Sequence, residues 1–220
     1  MTLPQLSEST EMYLKAMAEL GGGEAVAIGR LAERLSVTAV SANEMVRRLT
    51  SQDLVKHTPY KGVTLTKKGT AAANNVVRRQ RLWECFLYEH LKIEWARLYE
   101  LACSLEHTTA PEVAEALSVF LGEPKLCPHG NPIPAAGGSI PQLDGIPLSE
   151  VQLGVTARIL AVRATATNVL RHLYERDILP GREVIVVEAA PMEGPLMLRV
   201  NGRETVLGLL LAELVIVKII

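Results

Sequence analysis

The sequence predicts a mainly helical protein with β-structure in two places: a winged helix-turn-helix at the N-terminus, a helical middle, and a small β-barrel at the C-terminus. Three observations carry this. Two short helical segments joined by "SVT" are followed at once by a hairpin pattern within residues 27–66. Apolar residues then recur at helical spacing through residues 68–121. Beyond a Pro/Gly-rich stretch, the last stretch of about 70 residues reads as short strands with one helix among them.

The elements follow in order. Residues 7–20 form a first helix, with Ser7 or Ser9 to cap it and Met12, Ala16 and Leu20 on one face; "GGGE" ends it. Helices over 27–35 and 39–52 come next. Strands over 54–58 and 63–66 flank "PYKG", a good hairpin tip. One long helix covers 68–89, with Val76, Leu82 and Phe86 in its apolar stripe. Further helices cover 95–106 and 111–121, where Pro111 suits a first helical turn. "EPKLCPHGNPIPAAGGSIPQLDGIP" is then an ordered turn running into a linker. "VQLGVTARILAVRA" and "EVIVVEAA" are β-rich, "TNVLRHLYERD" is helical between them, and Asn201-Gly202 signals a two-residue hairpin. The expected domains are therefore 1–73, 74–134, a linker at 135–147, and 148–220.

Composition narrows the function. Hydrophobic residues make up 48%, yet charges occur in every segment, and the longest apolar run, "VLGLLLAELVIVKII", is interrupted by Glu213 and Lys218. It falls short of the roughly 18 uninterrupted residues of a membrane span. "MTLPQLSESTEMYL" lacks the basic-then-apolar pattern of a secretion signal, so a cytoplasmic protein is expected. Cys85, Cys103 and Cys127 are odd in number and far apart, which argues for thiols rather than a disulfide framework.

The net charge is only −1, but the distribution is uneven. Across residues 45–82 stand Arg47, Arg48, Lys56, Lys61, Lys67, Lys68, Arg78, Arg79 and Arg81, with Asp53 the sole acid. A positive island on a winged layout points to double-stranded DNA. The second helix of the motif would enter the major groove with Val40, Ser41, Asn43 and Glu44 towards the bases. Asn43 can make a two-point contact with adenine. Arg47, Arg48, Lys56, Lys61, Lys67 and Lys68 suit the phosphates, with Tyr60 and Lys61 at the wing tip. Taken singly, each arginine reads equally well as a solvated helix residue; the combination favours DNA.

In "ACSLEHTT", Cys103, Glu106 and His107 stand at i, i+3 and i+4, which puts thiol, carboxylate and imidazole on one helix face. They offer S, O and N ligands to a first-row transition metal and leave positions open. A buried structural thiol and an ordinary histidine are the commoner explanations of each residue alone. Cys127 and His129 in "LCPHGNPIP" also admit two readings, a ligand pair or, more often for such a stretch, a shaped turn without chemistry.

"STEMYLKAMAEL", the helix-turn-helix, "YKGVTLTKKG", "RRQRLWECFL", "ACSLEH" and "CPHGNPIP" together resemble the metal-dependent repressors of the diphtheria toxin repressor and manganese transport regulator family. The likeness covers most of residues 5–135, and the C-terminal segment is similar to the SH3-like (FeoA-like) domain of longer members. The resemblance implies a homodimer paired through residues 83–91 and 113–121, and a primary metal site of Met12, Cys103, Glu106 and His107. It also implies that the turn near residues 3–7 unwinds on metal binding. Manganese-type members carry Asp and Glu where Met12 and Cys103 stand. Thioether and thiolate soften the site, so Fe²⁺ is expected first and Mn²⁺ next, with Co²⁺, Ni²⁺ or Zn²⁺ able to bind in vitro.

A second family site is expected to be absent or rebuilt. Glu84 is kept, but Gln80 replaces a His, Tyr99 replaces another, and Ala166 and Val169 stand near a Glu and a Gln of the longest members. His90, His172 and Cys85 are candidate stand-ins. Two rival functions remain: a thiol-based redox regulator using Cys85 and Cys103 with incidental metal, and a metal-dependent hydrolase. The second lacks any oxyanion-hole or phosphate-loop motif and is not expected, so the chain is read as a regulator and not an enzyme.

Overall fold

The computed structural model describes residues 6–21 and 23–220. Its contacts divide the chain into two compact units. One contains Met1–Arg79 and Pro134–Ile140, the other Gln80–Ile133 and Pro141–Ile220. The expected N-terminal turn at residues 3–7 lies mostly outside the described residues.

In the first unit, α1 (Glu8–Gly21) begins where Ser7 Oγ accepts the Thr10 amide. Helices α2 (Ile28–Arg34) and α3 (Ala39–Ser51) are joined by a turn in which Ser36 adopts φ +53°. Thr38 caps α3 by accepting the Ser41 amide at 3.1 Å. Strands β1 (Val55–Thr58) and β2 (Gly62–Leu65) pair antiparallel as the wing. Gly62 is required there: its φ is +107°, and a Cβ would come within 2.5 Å of the Val26 carbonyl oxygen, where Val26 bridges to Val63. Leu14, Leu31, Leu49 and Val63 are wholly buried at the centre of this unit.

Helix α4 (Lys67–Glu89) runs on without a break, and the division between units falls within it. The second unit continues with a 3-10 turn at Trp95–Arg97, α5 (Leu98–Glu106) and α6 (Pro111–Phe120), the last opened by Pro111 as expected. Then follow β3 (Ile146–Pro147), β4 (Thr156–Val162), α7 (Thr167–Glu175), β5 (Glu183–Ala189), β6 (Leu196–Val200), β7 (Arg203–Leu207), α8 (Leu209–Ala212) and β8 (Val215–Ile219). Asn201 (φ +47°) and Gly202 (φ +80°) form the β6–β7 turn, as their pairing in sequence predicts.

The small barrel expected for this part is met as far as a C-terminal sheet domain. The sheet is antiparallel and open, in the order β3-β8-β4-β5-β6-β7, with β3 and β7 at its edges. Strand β3 is two residues long, and its Pro147 has no amide hydrogen to extend a ladder towards β7. Closure is replaced by packing: Leu98 and Ala102 of α5 and Trp95 share one core with Ile159, Leu170, Leu173 and Val215. Leu82, Cys85, Leu117, Cys127 and Ile133 form a smaller cluster beside it. Among the described residues, no helix is long and apolar enough to cross a membrane.

Candidate metal centre and nucleic-acid interface

The amphipathic pattern of α3 buries Ala42, Val46 and Leu49 and leaves Val40, Ser41, Asn43, Glu44, Arg47 and Arg48 exposed. All six residues proposed for this helix therefore face outward. Tyr60, with φ +63°, and Lys61 stand exposed at the wing tip. The Asn43 amide group donates to the Ala39 carbonyl at 2.8 Å, so a two-point contact with a base would require that bond to be exchanged. Arg48 donates to Ser7 Oγ (3.2 Å) and Thr10 Oγ1 (3.0 Å) and thereby anchors the start of α1.

The positive island splits in two. Lys56, Lys61 and Lys67 are exposed, and Lys68, also exposed, donates to the Gln52 carbonyl. The arginines of α4 are structural instead. Arg78 donates to the Pro134 carbonyl, Arg79 pairs with Glu11 at 2.6 Å, and Arg81 donates to the Pro132 carbonyl.

On α5, Cys103, Glu106 and His107 fall on one face as their spacing predicts. Glu106 is fully buried, and its Oε1 lies 3.2 Å from His107 Nε2. Met12 is on α1, in the other compact unit, and is exposed.

A second group is assembled entirely within one unit. Glu84 on α4 meets Cys127 and His129 from the "CPHGN" turn, and their ligand atoms lie within 4.8 Å of one another, all three residues buried. The turn is shaped by backbone bonds from Cys127 N–H to the Asn131 carbonyl (3.0 Å) and from Gly130 N–H to the Cys127 carbonyl (2.8 Å), with Gly130 at φ +79°. It projects the Cys127 and His129 side chains onto Glu84.

The hydrogen bonds fix the histidine. Nε2 lies 3.1 Å from the Trp95 carbonyl oxygen, which can only accept, so Nε2 carries the hydrogen. Nδ1 then faces Glu84 Oε2 at 3.3 Å, with its lone pair towards the point where a cation would sit. Burial pushes the Glu84 carboxyl up, but the charge and hydrogen bond of His129, the Cys127 thiol and Arg81 outweigh it, and the net displacement is downward. Burial, then the Glu84 charge, pushes the Cys127 thiol well above its ordinary range. Gln80 donates to Glu84 Oε1 at 2.9 Å.

An O, N, S donor set around one buried point fits a first-row transition metal, and three protein ligands leave positions for water or an anion. Such an ion would supply a charge that ties α4 to the turn. Its imidazole ligand already has the outer hydrogen bond that orients metal-bound histidines.

Comparison with known proteins places these features. Three family models match: the iron dependent repressor N-terminal DNA-binding domain over residues 5–63, the iron dependent repressor metal-binding and dimerisation domain over 66–135, and the FeoA domain over 146–219. A solved manganese-dependent transcriptional repressor in complex with manganese superposes with a TM-score of 0.86 at 30% identity, covering 96% of this chain and 100% of that one. The chain belongs to the diphtheria toxin repressor family of metal-dependent transcriptional repressors. The diphtheria toxin repressor of Corynebacterium diphtheriae is 27% identical over 213 residues, covering 92% of this chain and 93% of its own. The iron-dependent repressor IdeR of Mycobacterium tuberculosis is 28% identical over 215 residues, with 92% and 93% covered. Members of the diphtheria toxin repressor family are DNA-binding regulators, and the chain is accordingly not an enzyme.

Against that family, the sequence-based expectation of a second site needs revision in its ligands. Glu84 does belong to a potential centre, but Gln80 serves it as a hydrogen-bond donor. The suggested stand-ins are elsewhere: His90 packs against the rings of Phe86 and Phe120, His172 is on α7, and the Cys85 thiol points to the Leu126 carbonyl. Cys127 and His129 complete the group. The C-x-H spacing was visible, but its partner is 45 residues away, and only the fold brings the two together.

Proposed function

We propose that this chain represses metal-homeostasis genes as a homodimer that reads operator DNA when a divalent metal is bound, with Fe²⁺ the physiological effector ahead of Mn²⁺. The observation that carries the reading is the buried Glu84–Cys127–His129 group in a chain of this family. A thiolate ligand favours Fe²⁺, Co²⁺ and Zn²⁺ over Mn²⁺. The primary effector site is proposed to draw on Met12, Cys103, Glu106 and His107, again with sulfur in the set. The relatives' names include both iron- and manganese-dependent repressors, so the metal preference rests on this chain's own ligands.

Functional labour is proposed to divide as 1–73 for DNA, 74–134 for metal and dimerisation, a linker at 135–147, and 148–220 for the sheet domain. Exposed Tyr88, Leu91, Val113, Val119 and Phe120 on α4, the loop after it and α6 support pairing there. A DNA partner agrees with a cytoplasmic location.

The thiol-redox alternative fares worse. Of its two thiols, Cys85 is pushed up to about 12 by burial and does not offer the thiolate that oxidation requires, which leaves Cys103 alone to carry that reading. The deciding experiment is an anaerobic titration of Fe²⁺ and Mn²⁺ read out by operator binding. Half-saturation at lower Fe²⁺ than Mn²⁺ is expected. Equal operator affinity with and without metal refutes metal activation, and tighter response to Mn²⁺ refutes the iron assignment.

A further inference from the structure

Among the described residues, no His, Cys, Asp or Glu of the C-terminal sheet domain joins the Glu84–Cys127–His129 group. Yet that domain bears on the ligand-bearing turn from two sides, directly through β4 and by way of Trp95 from α7. On one side is β4, whose pairing with β8 shifts register between Ile159 and Ala161, leaving Leu160 as the extra residue of a bulge. Gly130 sits against this bulge: a Cβ there would lie 2.0 Å from the Leu160 carbonyl oxygen and 2.9 Å from Ala161 Cα. Two hydrogen bonds lock the contact. Val162 N–H donates to the His129 carbonyl at 2.8 Å, and the Asn131 side-chain amide donates to the Val162 carbonyl at 2.8 Å.

On the other side is α7, which packs on the 3-10 turn carrying Trp95. The ring of Tyr174 lies 6.1 Å from that of Trp95, Arg171 pairs with Glu94 at 3.1 Å, and Thr167 donates to Glu100 at 2.9 Å. Trp95 in turn holds the turn at three points. Its indole N–H donates to the Pro128 carbonyl at 3.0 Å, its carbonyl accepts from His129 Nε2, and its ring packs edge-on to the imidazole at 4.5 Å.

We propose that the sheet domain is the positioning half of this metal centre: β4 and α7 clamp residues 127–131 in the shape that delivers Cys127 and His129 to Glu84, with Asn131 and Trp95 as the positioning residues. The clamp sets affinity because a ligand held in place loses no freedom on binding, while a free five-residue turn would have to be ordered at the expense of metal affinity. Gly130 is the steric condition for the clamp, since any side chain there would push the turn off β4. The inference rests on reading Glu84, Cys127 and His129 as a metal centre.

The test uses the full chain in a Cys103→Ser background, titrated anaerobically with Co²⁺, so that the near-ultraviolet thiolate-to-cobalt absorption reports Cys127. Asn131→Ala and Trp95→Phe are each expected to weaken Co²⁺ binding by about 10–100-fold, the range for outer partners of metal ligands. Asn201→Ala removes a side-chain bond inside the sheet domain and away from the turn, to Asp177 at 3.0 Å, and should leave Co²⁺ affinity unchanged. Folded Asn131→Ala and Trp95→Phe proteins that bind Co²⁺ as tightly as the parent overturn the clamp, as does an equal loss in Asn201→Ala. Should Asn131→Ala not fold, Trp95→Phe, which keeps a ring against His129, decides alone. If the parent shows no absorption that Cys127→Ser removes, the metal-centre reading itself fails and the clamp falls with it.

Discussion

The two groups of potential metal ligands are built in opposite ways. Cys103, Glu106 and His107 come from a single helix, and the fourth ligand proposed for them, Met12, belongs to the other compact unit. Glu84, Cys127 and His129 come from a helix and a distant turn, yet all three are buried within one unit and already gathered. A site whose ligands are divided between bodies can bias how those bodies are populated, because the ion binds one arrangement better than others. A site complete within one body can only make that body more stable or better ordered. On this assignment the first group carries the switch and the second secures the frame.

The sharpest way to break the comparison is to delete one ligand from each group. His107→Ala should abolish the metal-induced gain in operator affinity, which couplings of this kind set at about 5–150-fold, while leaving the dimer intact. Glu84→Ala should lower the number of metal ions bound and the melting temperature of the metal-loaded protein, yet keep part of the operator response. Operator binding measured against metal concentration for both variants decides; an equal loss in the two would erase the proposed division of labour.

Ligand softness gives the next largest effect. In a Cys103→Ser background, Cys127→Ser should weaken Co²⁺ or Zn²⁺ binding by about a hundredfold and Mn²⁺ binding by much less, since only the softer ions gain from the thiolate. Calorimetric titration with each ion checks this. A uniform loss across the three ions would mean that Cys127 acts through the shape of the turn rather than as a donor.

The buried cluster should also depend steeply on pH. Its thiol is held protonated by burial and the Glu84 charge. A metal must displace that proton, so affinity rises with pH and falls as protons return, by about tenfold per pH unit while the thiol is protonated. Proton release counted in two buffers of different ionisation enthalpy measures it directly. Release of no proton would contradict the assigned protonation of the thiol.

These sites also mark what a sequence can and cannot convey. The triad on α5 was legible because a helix is a local object: positions i, i+3 and i+4 share a face wherever the helix ends up. The face of α3 was legible for the same reason, and the β6–β7 turn because Asn-Gly fixes its backbone. The Glu84 group was only half legible, since it depends on where Gly130 lets the turn approach β4, a tertiary fact with no local period. The barrel expectation was likewise legible only as far as a sheet domain. Strand count and length were readable, but whether the outer strands meet depends on a two-residue β3 ending in proline. Charge misled in part for the opposite reason: Arg78, Arg79 and Arg81 read as a basic surface, and tertiary partners turn them to structural use.

The smallest expected effect bears on how fully the second centre is formed before metal arrives. Gln80 is buried, and its amide donates to Glu84 Oε1 while Oε2 faces His129. With one carboxylate oxygen so engaged, the other is aimed at the point where Cys127 and His129 converge. Gln80→Ala frees the carboxylate to rotate without removing a ligand, so metal affinity should drop by roughly tenfold, the lower end for partners in the outer shell. Gln80→Glu keeps the volume but sets two carboxyl groups together, and should push one of them to retain a proton and weaken binding at neutral pH. Gln80→His places a further nitrogen beside Glu84 and should tighten binding if the cluster has an open position. An affinity untouched by all three substitutions, measured by Co²⁺ titration in the Cys103→Ser background, would mean that α4 alone orients Glu84 and that the centre is more rigid than its hydrogen bonds require.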